Sequence, residues 1–188
     1  FDGAAGYYDI QPDIITYGKI MGGGMPVGCY GSSAKIMSSI APDGDVYQAG
    51  TLSGNPVAMS AGKAALSILS QPGFYKNQEE RTLSFVNKLR LHITEKKYNI
   101  HIATVGSIFW IVYGNKETII QAPNQIHKDA GIYFKAIFRK LLNRGVYLGP
   151  SGYEVGFISS AHSSKVLDKA ANKIISALDE VHQEIGLN

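Results

Sequence analysis

Cysteine is almost missing from this sequence: its 188 residues contain one, Cys29, so no disulfide forms within the chain and no thiolate cluster holds a metal. Long apolar runs are missing as well. The two longest stretches free of Asp, Glu, Lys and Arg, Tyr98 to Asn115 and Val46 to Gly62, are broken by Gly, Ser, Thr or Asn, and neither is expected to span a membrane. There is little excess charge: 18 basic and 15 acidic side chains leave a net +3, with the Lys and Arg scattered. A nucleic-acid partner is therefore not expected. The five histidines, at 92, 101, 127, 162 and 182, show no paired ligand spacing, so no metal site is expected. With no secretory signal or transit peptide visible at the start, the expected location is the cytoplasm, or an organelle interior after processing. An initiator Met is also lacking. The first 62 residues hold 12 of the 21 glycines, far above the usual share of about 7%, and the chain reads as a piece entered in mid-domain.

Charge is divided unevenly: residues 1 to 70 carry 8 charged side chains and residues 71 to 188 the other 25, which reads as a buried or site-forming front and a more solvated back. Residues 13 to 31, DIITYGKIMGGGMPVGCYG, read as strand, tight turn and strand. A short helix is expected from Ser33 to Ile40. Asn55-Pro56 pairs a preferred N-cap with the residue favoured at the first helical position, and starts a helix to about Ser70, apolar almost all round. Phe85, Val86, Leu89 and Ile93 recur at helical spacing within Phe74 to Lys97, read as a long linking helix. Ile100 to Val105 and Ser107 to Tyr113 read as strands around Gly106. Tyr133 to Leu142 reads as a helix stopped at Arg144-Gly145. Val146 to Leu148 and Val155 to Ser159 read as further strands, and Val166 to Val181 as a closing helix capped by Ser163. Thr118 to Lys128 gives no clear signal.

Lys19 is the only Lys or Arg in the first 34 residues and stands between a β-branched strand and three glycines. Two readings stand at this point. A desolvated lysine offers a free amine for a Schiff base or proton transfer, whereas a strand-end lysine extends its ammonium to water. The Walker A pattern fails, because Ile20 follows the lysine, and G-x-G-x-x-G fails because Val27 occupies its last position. Gly50-Thr51-Leu52-Ser53-Gly54-Asn55-Pro56 brings a hydroxyl and flexible backbone to a helix N-terminus, where free amides suit an anion such as phosphate; an ordinary capped loop is the alternative. Tyr7-Tyr8 and the Ile108 to Tyr113 strand read as core. Glu154, in the turn-rich GPSGYEVGF, is either a pocket carboxylate or an exposed one, and His162 reads as a satisfied structural histidine.

The blocks PDIITYGKIMGGGMPVGCYG, VYQAGTLSGNPVAMSAG and GVYLGPSGYEVGFISSAH, in that order, resemble the glutamate-1-semialdehyde 2,1-aminomutase family within the class III aminotransferases. The resemblance covers nearly the whole chain. It implies an α/β fold of the fold-type-I class dependent on pyridoxal 5'-phosphate (PLP), present in part: the end of the large domain at residues 1–73, a linking helix at 74–97 and a small C-terminal α+β domain at 98–188. By resemblance, Lys19 is the catalytic residue that carries PLP, Gly50 and Thr51 reach the cofactor phosphate of the other subunit of a homodimer, and Glu154 lines the substrate side. The implied reaction is an internal amino exchange. The pyridoxamine form (PMP) gives its amine to the aldehyde carbon of a small-molecule substrate, glutamate-1-semialdehyde, and 5-aminolevulinate for tetrapyrrole synthesis results. For a plant protein the implied location is the plastid stroma. The family's N-terminal half supplies a phosphate loop, a ring over the cofactor and an aspartate facing its pyridinium nitrogen. None of these is in this sequence, and Asp2 in FDGAAG does not match that aspartate, so the chain alone is expected to be inactive. The rivals are an ω-aminotransferase using a 2-oxo acid, whose arginine clamp has no counterpart between Gly145 and His162, and a dimerising fragment without cofactor.

Overall fold

The computed structural model describes residues 1–114 and 119–186, and it divides into two compact units, Phe1–Phe74 and Tyr75–Asn188. The first unit opens with a short helix α1 (Gly3–Tyr7) that the sequence pattern did not suggest. Strand β1 (Ile14–Tyr17) then pairs antiparallel with β2 (Cys29–Ser32), in register from Ile14 opposite Ser32 to Tyr17 opposite Cys29. Between them the backbone makes a 3-10 turn over Lys19–Gly22. Helix α2 (Ala34–Met37) is capped by Ser33. Helix α3 (Pro56–Leu69) begins where the Asn-Pro signal places it.

Only one stripe of α3 is buried, at Ala58, Gly62 and Leu69. Val57, Met59 and Ile68 are exposed and Ala61, Ala65 and Leu66 half-buried, so the first unit by itself does not supply the all-round packing expected from the sequence. Tyr7 and Tyr8, expected in the core, are both more than 60% exposed and meet each other edge-on at 4.8 Å. Their sequence signal was aromatic content, and no element of the first unit covers them. The charge-poor front is thus a unit with a large open apolar surface, including Ile10, Ile20, Tyr47 and Leu52.

The second unit builds its own core. Helix α4 (Phe74–Lys96) buries Phe85, Val86, Leu89 and Ile93 against the hairpin of β3 (Ile100–Val105) and β4 (Ile108–Tyr113). That hairpin turns at Gly106 with φ +55°, a conformation glycine adopts without steric cost. Helix α5 (Ala130–Asn143), strand β5 (Gly156–Phe157) and helix α6 (Ser164–Ile185) complete it. The sheet runs β3-β4-β5, all antiparallel. Its Ile100, Ile102, Phe109 and Tyr113 face the same cluster as Ile137 and Leu141 of α5 and the α6 stripe Leu167, Ala171, Ile174, Leu178 and Val181. Each fully buried Leu or Ile contributes about 1.5–3 kcal/mol, and this cluster holds the unit together. The helix read as a link is therefore a wall of this core.

Two expectations fail locally. Val146 to Leu148 forms no ladder, and the expected strand Val155 to Ser159 shortens to two residues. The apolar side chains of Val146 and Leu148 pack on the core without a ladder partner, so their hydrophobicity reports burial and not pairing. Thr118, in the stretch without clear signal, lies outside the described residues; Pro123–Gln125 nearby makes a short 3-10 turn.

Candidate cofactor and substrate site

Lys19 stands where β1 ends. Gly18 is extended, and the backbone then swings at Lys19 to φ +54°. For a residue with a Cβ this left-handed conformation costs roughly 1–2 kcal/mol, and such strain gathers at functional sites. The turn is closed by backbone hydrogen bonds: Met21 N–H donates to the Gly18 carbonyl at 3.3 Å, Gly23 N–H to Ile20 at 3.0 Å and Met25 N–H to Gly22 at 3.0 Å. Lys19 is exposed and makes no ion pair among the described residues. Within the first unit the structure thus gives Lys19 the solvated one of the two settings read from the sequence.

The turn sits directly on α3. Gly23, at φ +59°, is so close that an added Cβ would lie 2.7 Å from the Ala61 carbonyl carbon, and a Cβ added to Gly62 would lie 2.6 Å from the Met21 carbonyl oxygen. The sequence did not single out this pair. A glycine inside a helix was the signal that pointed to it.

At the N-terminus of α3 the Asn55 cap read from the sequence is in place. Asn55 Oδ1 accepts from the N–H groups of Val57 at 3.0 Å and Ala58 at 3.2 Å, Met59 N–H donates to the Asn55 carbonyl at 2.9 Å, and Pro56 has no N–H. The helix amides are already used by their own cap. The donors without an intrachain partner lie one turn earlier. Ser53 N–H closes on the Gly50 carbonyl at 2.9 Å and Asn55 N–H on Leu52 at 3.1 Å, while the amides of Gly50, Thr51 and Leu52 and the Thr51 hydroxyl have no partner among the described residues. An anion would find these groups together with the positive end of the helix dipole.

Glu154 belongs to the second unit, which is described by itself. It is exposed, its N–H donates to Ser151 at 3.1 Å, and its side chain lies over Gly149, where an added Cβ would come within 2.8 Å of the Glu154 Cβ. Trp110 pins this turn by donating its indole N–H to the Gly152 carbonyl at 2.8 Å. Beside it lies a cavity of about 30 Å³ walled by Phe109, Phe134, Ile137 and Leu148, with Glu154 on its lining. His162 has a partner within its own loop: Ser159 N–H donates to its Nδ1 at 2.9 Å. Two further side chains fasten the loop around it. Gln78 donates to the Ile158 carbonyl, and Arg81 donates to the carbonyls of Ser160 and His162, both at 3.2 Å.

Three of the four arginines in the sequence are committed in this way. Arg81 holds that loop, Arg90 donates to the Ile102 carbonyl at 2.7 Å, and Arg144 pairs with Glu180. The fourth, Arg139, is exposed on α5, two residues from buried Ile137 and so on the opposite side of the helix. Among the described residues there is no group of His, Cys, Asp and Glu able to hold a metal, and no helix is long and apolar enough to cross a membrane.

Comparison with known proteins places the chain in a family. The family model for aminotransferase class III matches residues 3–181. The glutamate-1-semialdehyde 2,1-aminomutase of Bdellovibrio bacteriovorus is 45% identical over 170 residues, which cover 90% of this chain and 40% of that protein. Among solved structures, an omega-transaminase from Sphaerobacter thermophilus superposes with a TM-score of 0.86 at 23% identity, covering 96% of this chain and 41% of that one. A glutamate-1-semialdehyde-aminomutase from Pseudomonas aeruginosa in complex with PMP gives 0.77 at 22% identity, covering 95% and 41%. The chain thus spans about two fifths of the length of the relatives it matches and has part of the fold-type-I transaminase fold. By the match of its family model over nearly its whole length, and by its identity with the Bdellovibrio enzyme, the chain belongs to the class III aminotransferase family.

Proposed function

We propose that the complete protein is a PLP-dependent aminomutase that converts glutamate-1-semialdehyde to 5-aminolevulinate within a homodimer. The residues present suit the cofactor. Lys19 supplies an exposed amine on a backbone held in a strained conformation, and the Gly50-Thr51-Leu52 turn supplies amides and a hydroxyl that have no partner among the described residues, beside a helix dipole. In this reading Lys19 holds PLP covalently through Nζ and moves protons at the substrate carbons. Gly50 and Thr51 hold the phosphate of the partner subunit's cofactor, and Glu154 orients the substrate. When bound, PLP supplies an electron sink for the amino exchange. The open apolar surface of the first unit supports a second copy and the rest of the large domain as its cover.

The commitment of the arginines carries the choice between mutase and ω-aminotransferase. A 2-oxo acid co-substrate calls for a guanidinium free to clamp its α-carboxylate. Here Arg81, Arg90 and Arg144 are tied to carbonyls or to Glu180, and Arg139 is turned away from the cavity beside Glu154. The test is a chimera in which the preceding segment of the Bdellovibrio aminomutase is joined to Phe1. Formation of 5-aminolevulinate from glutamate-1-semialdehyde with no 2-oxo acid added is the expected result. Turnover that appears only when a 2-oxo acid is supplied would overturn the mutase reading in favour of the aminotransferase.

A further inference from the structure

We infer that Gly62, working with Gly23, is a positioning residue for Lys19. The inference rests on the reading of Lys19 as the cofactor lysine. The two glycines make a reciprocal seat. The turn that follows Lys19 lays Gly23 against the carbonyl of Ala61, and helix α3 offers Gly62 to the carbonyl of Met21. In both directions the obstacle to a Cβ is backbone, so no rotamer change in a neighbouring side chain relieves it. The turn and the helix are therefore held at a separation that only two hydrogen-only positions permit.

Lys19 is two residues from Met21 and four from Gly23, inside the same hydrogen-bonded turn. Its left-handed φ of +54° is costly unless the surroundings fix it. The seat on α3 is what fixes it. Moving the turn outward by the roughly half an ångström or more that an added methyl demands shifts the backbone from which the lysine amine is aimed, and placement of reacting groups is sensitive on that scale.

Gly62 permits a clean test because its φ is helical and Ala is intrinsically better than Gly there. In the chimera, Gly62→Ala should therefore stay folded by circular dichroism while displacing the turn. The readout is modification of Lys19 by PLP followed by borohydride reduction and peptide mass, together with the pH midpoint of the bound cofactor's visible absorption band. The expected result is at least a tenfold fall in the rate of Lys19 labelling and a displaced midpoint in Gly62→Ala. Ala64→Gly, an exposed position on the same helix, loses helix propensity without touching the turn and should change neither. Labelling and midpoint equal to the wild type in folded Gly62→Ala would overturn the inference while leaving Lys19 as the cofactor lysine. A wild-type chimera that binds PLP and is not labelled on Lys19 would overturn both. If Gly62→Ala does not fold, Gly23→Asn tests the same contact from the other side with a residue that tolerates positive φ. Failure of both to fold would assign the seat to stability alone and likewise overturn the inference.

Discussion

Asp179 of α6 accepts hydrogen bonds from the Tyr98 hydroxyl at 2.6 Å and from His92 Nε2 at 2.7 Å. Tyr98 is only 3% exposed, and its ring packs against His92 and His182. Burial, and then the hydrogen bond to Asp179, push the Tyr98 phenol well above its ordinary range. For Asp179 burial acts upward, but the hydrogen bonds from Tyr98 and His92 and the charges of His92 and Lys96 outweigh it and hold the carboxyl below 3.8. Asp179→Ala strands a buried phenol hydroxyl, a loss of about 1–3 kcal/mol, whereas Tyr98→Phe removes donor and need together and should cost about 1 kcal/mol. A group whose native pKa is depressed stabilises above its unfolded value and loses that contribution as pH falls through the native one. The Asp179→Ala deficit should therefore be full at neutral pH and shrink below about pH 4. Urea unfolding of both single variants and the double variant, at pH 7 and pH 3, measures this. A deficit unchanged between the two pH values, or a double variant additive to within about 0.5 kcal/mol, would refute the reasoning.

Tyr113 presents the opposite case: its buried hydroxyl has no hydrogen-bond partner among the described residues, so Tyr113→Phe should leave urea stability unchanged or raise it by up to about 1–2 kcal/mol. Leu141→Ala, at a fully buried position between α5 and α6, should lose about 2–5 kcal/mol in the same assay. Thr51→Val in the chimera removes one hydroxyl donor from the proposed phosphate turn and should weaken PLP binding, followed by its absorbance, about tenfold, with urea stability nearly unchanged.

Much of the architecture was legible where one local signal sufficed. The Asn55-Pro56 cap, the hairpin around Gly106, the α6 stripe and the Ser163 cap all rest on spacing or on a single residue's chemistry, and each stands in the structure within a residue or two. Val146 to Leu148 misled because apolar residues that pack on the core look like a strand whether or not a ladder partner exists. Tyr7 and Tyr8 misled because burial depends on what covers a side chain, which no local pattern encodes. Of the proposed site, Lys19 and the Gly50-Thr51 loop were singled out from sequence. The left-handed Lys19 and the seat between Gly23 and Gly62 were not, since they depend on dihedrals and on contacts about forty residues apart.

The central claim is that Lys19 is the residue that binds the cofactor. Its most direct test is borohydride reduction of the chimera in the presence of PLP, followed by peptide mapping. The account predicts a single pyridoxyl adduct on the peptide containing Lys19, absent from Lys19→Ala. Cofactor demonstrably bound by the wild-type chimera, with Lys19 unmodified or the adduct on another lysine, would contradict it.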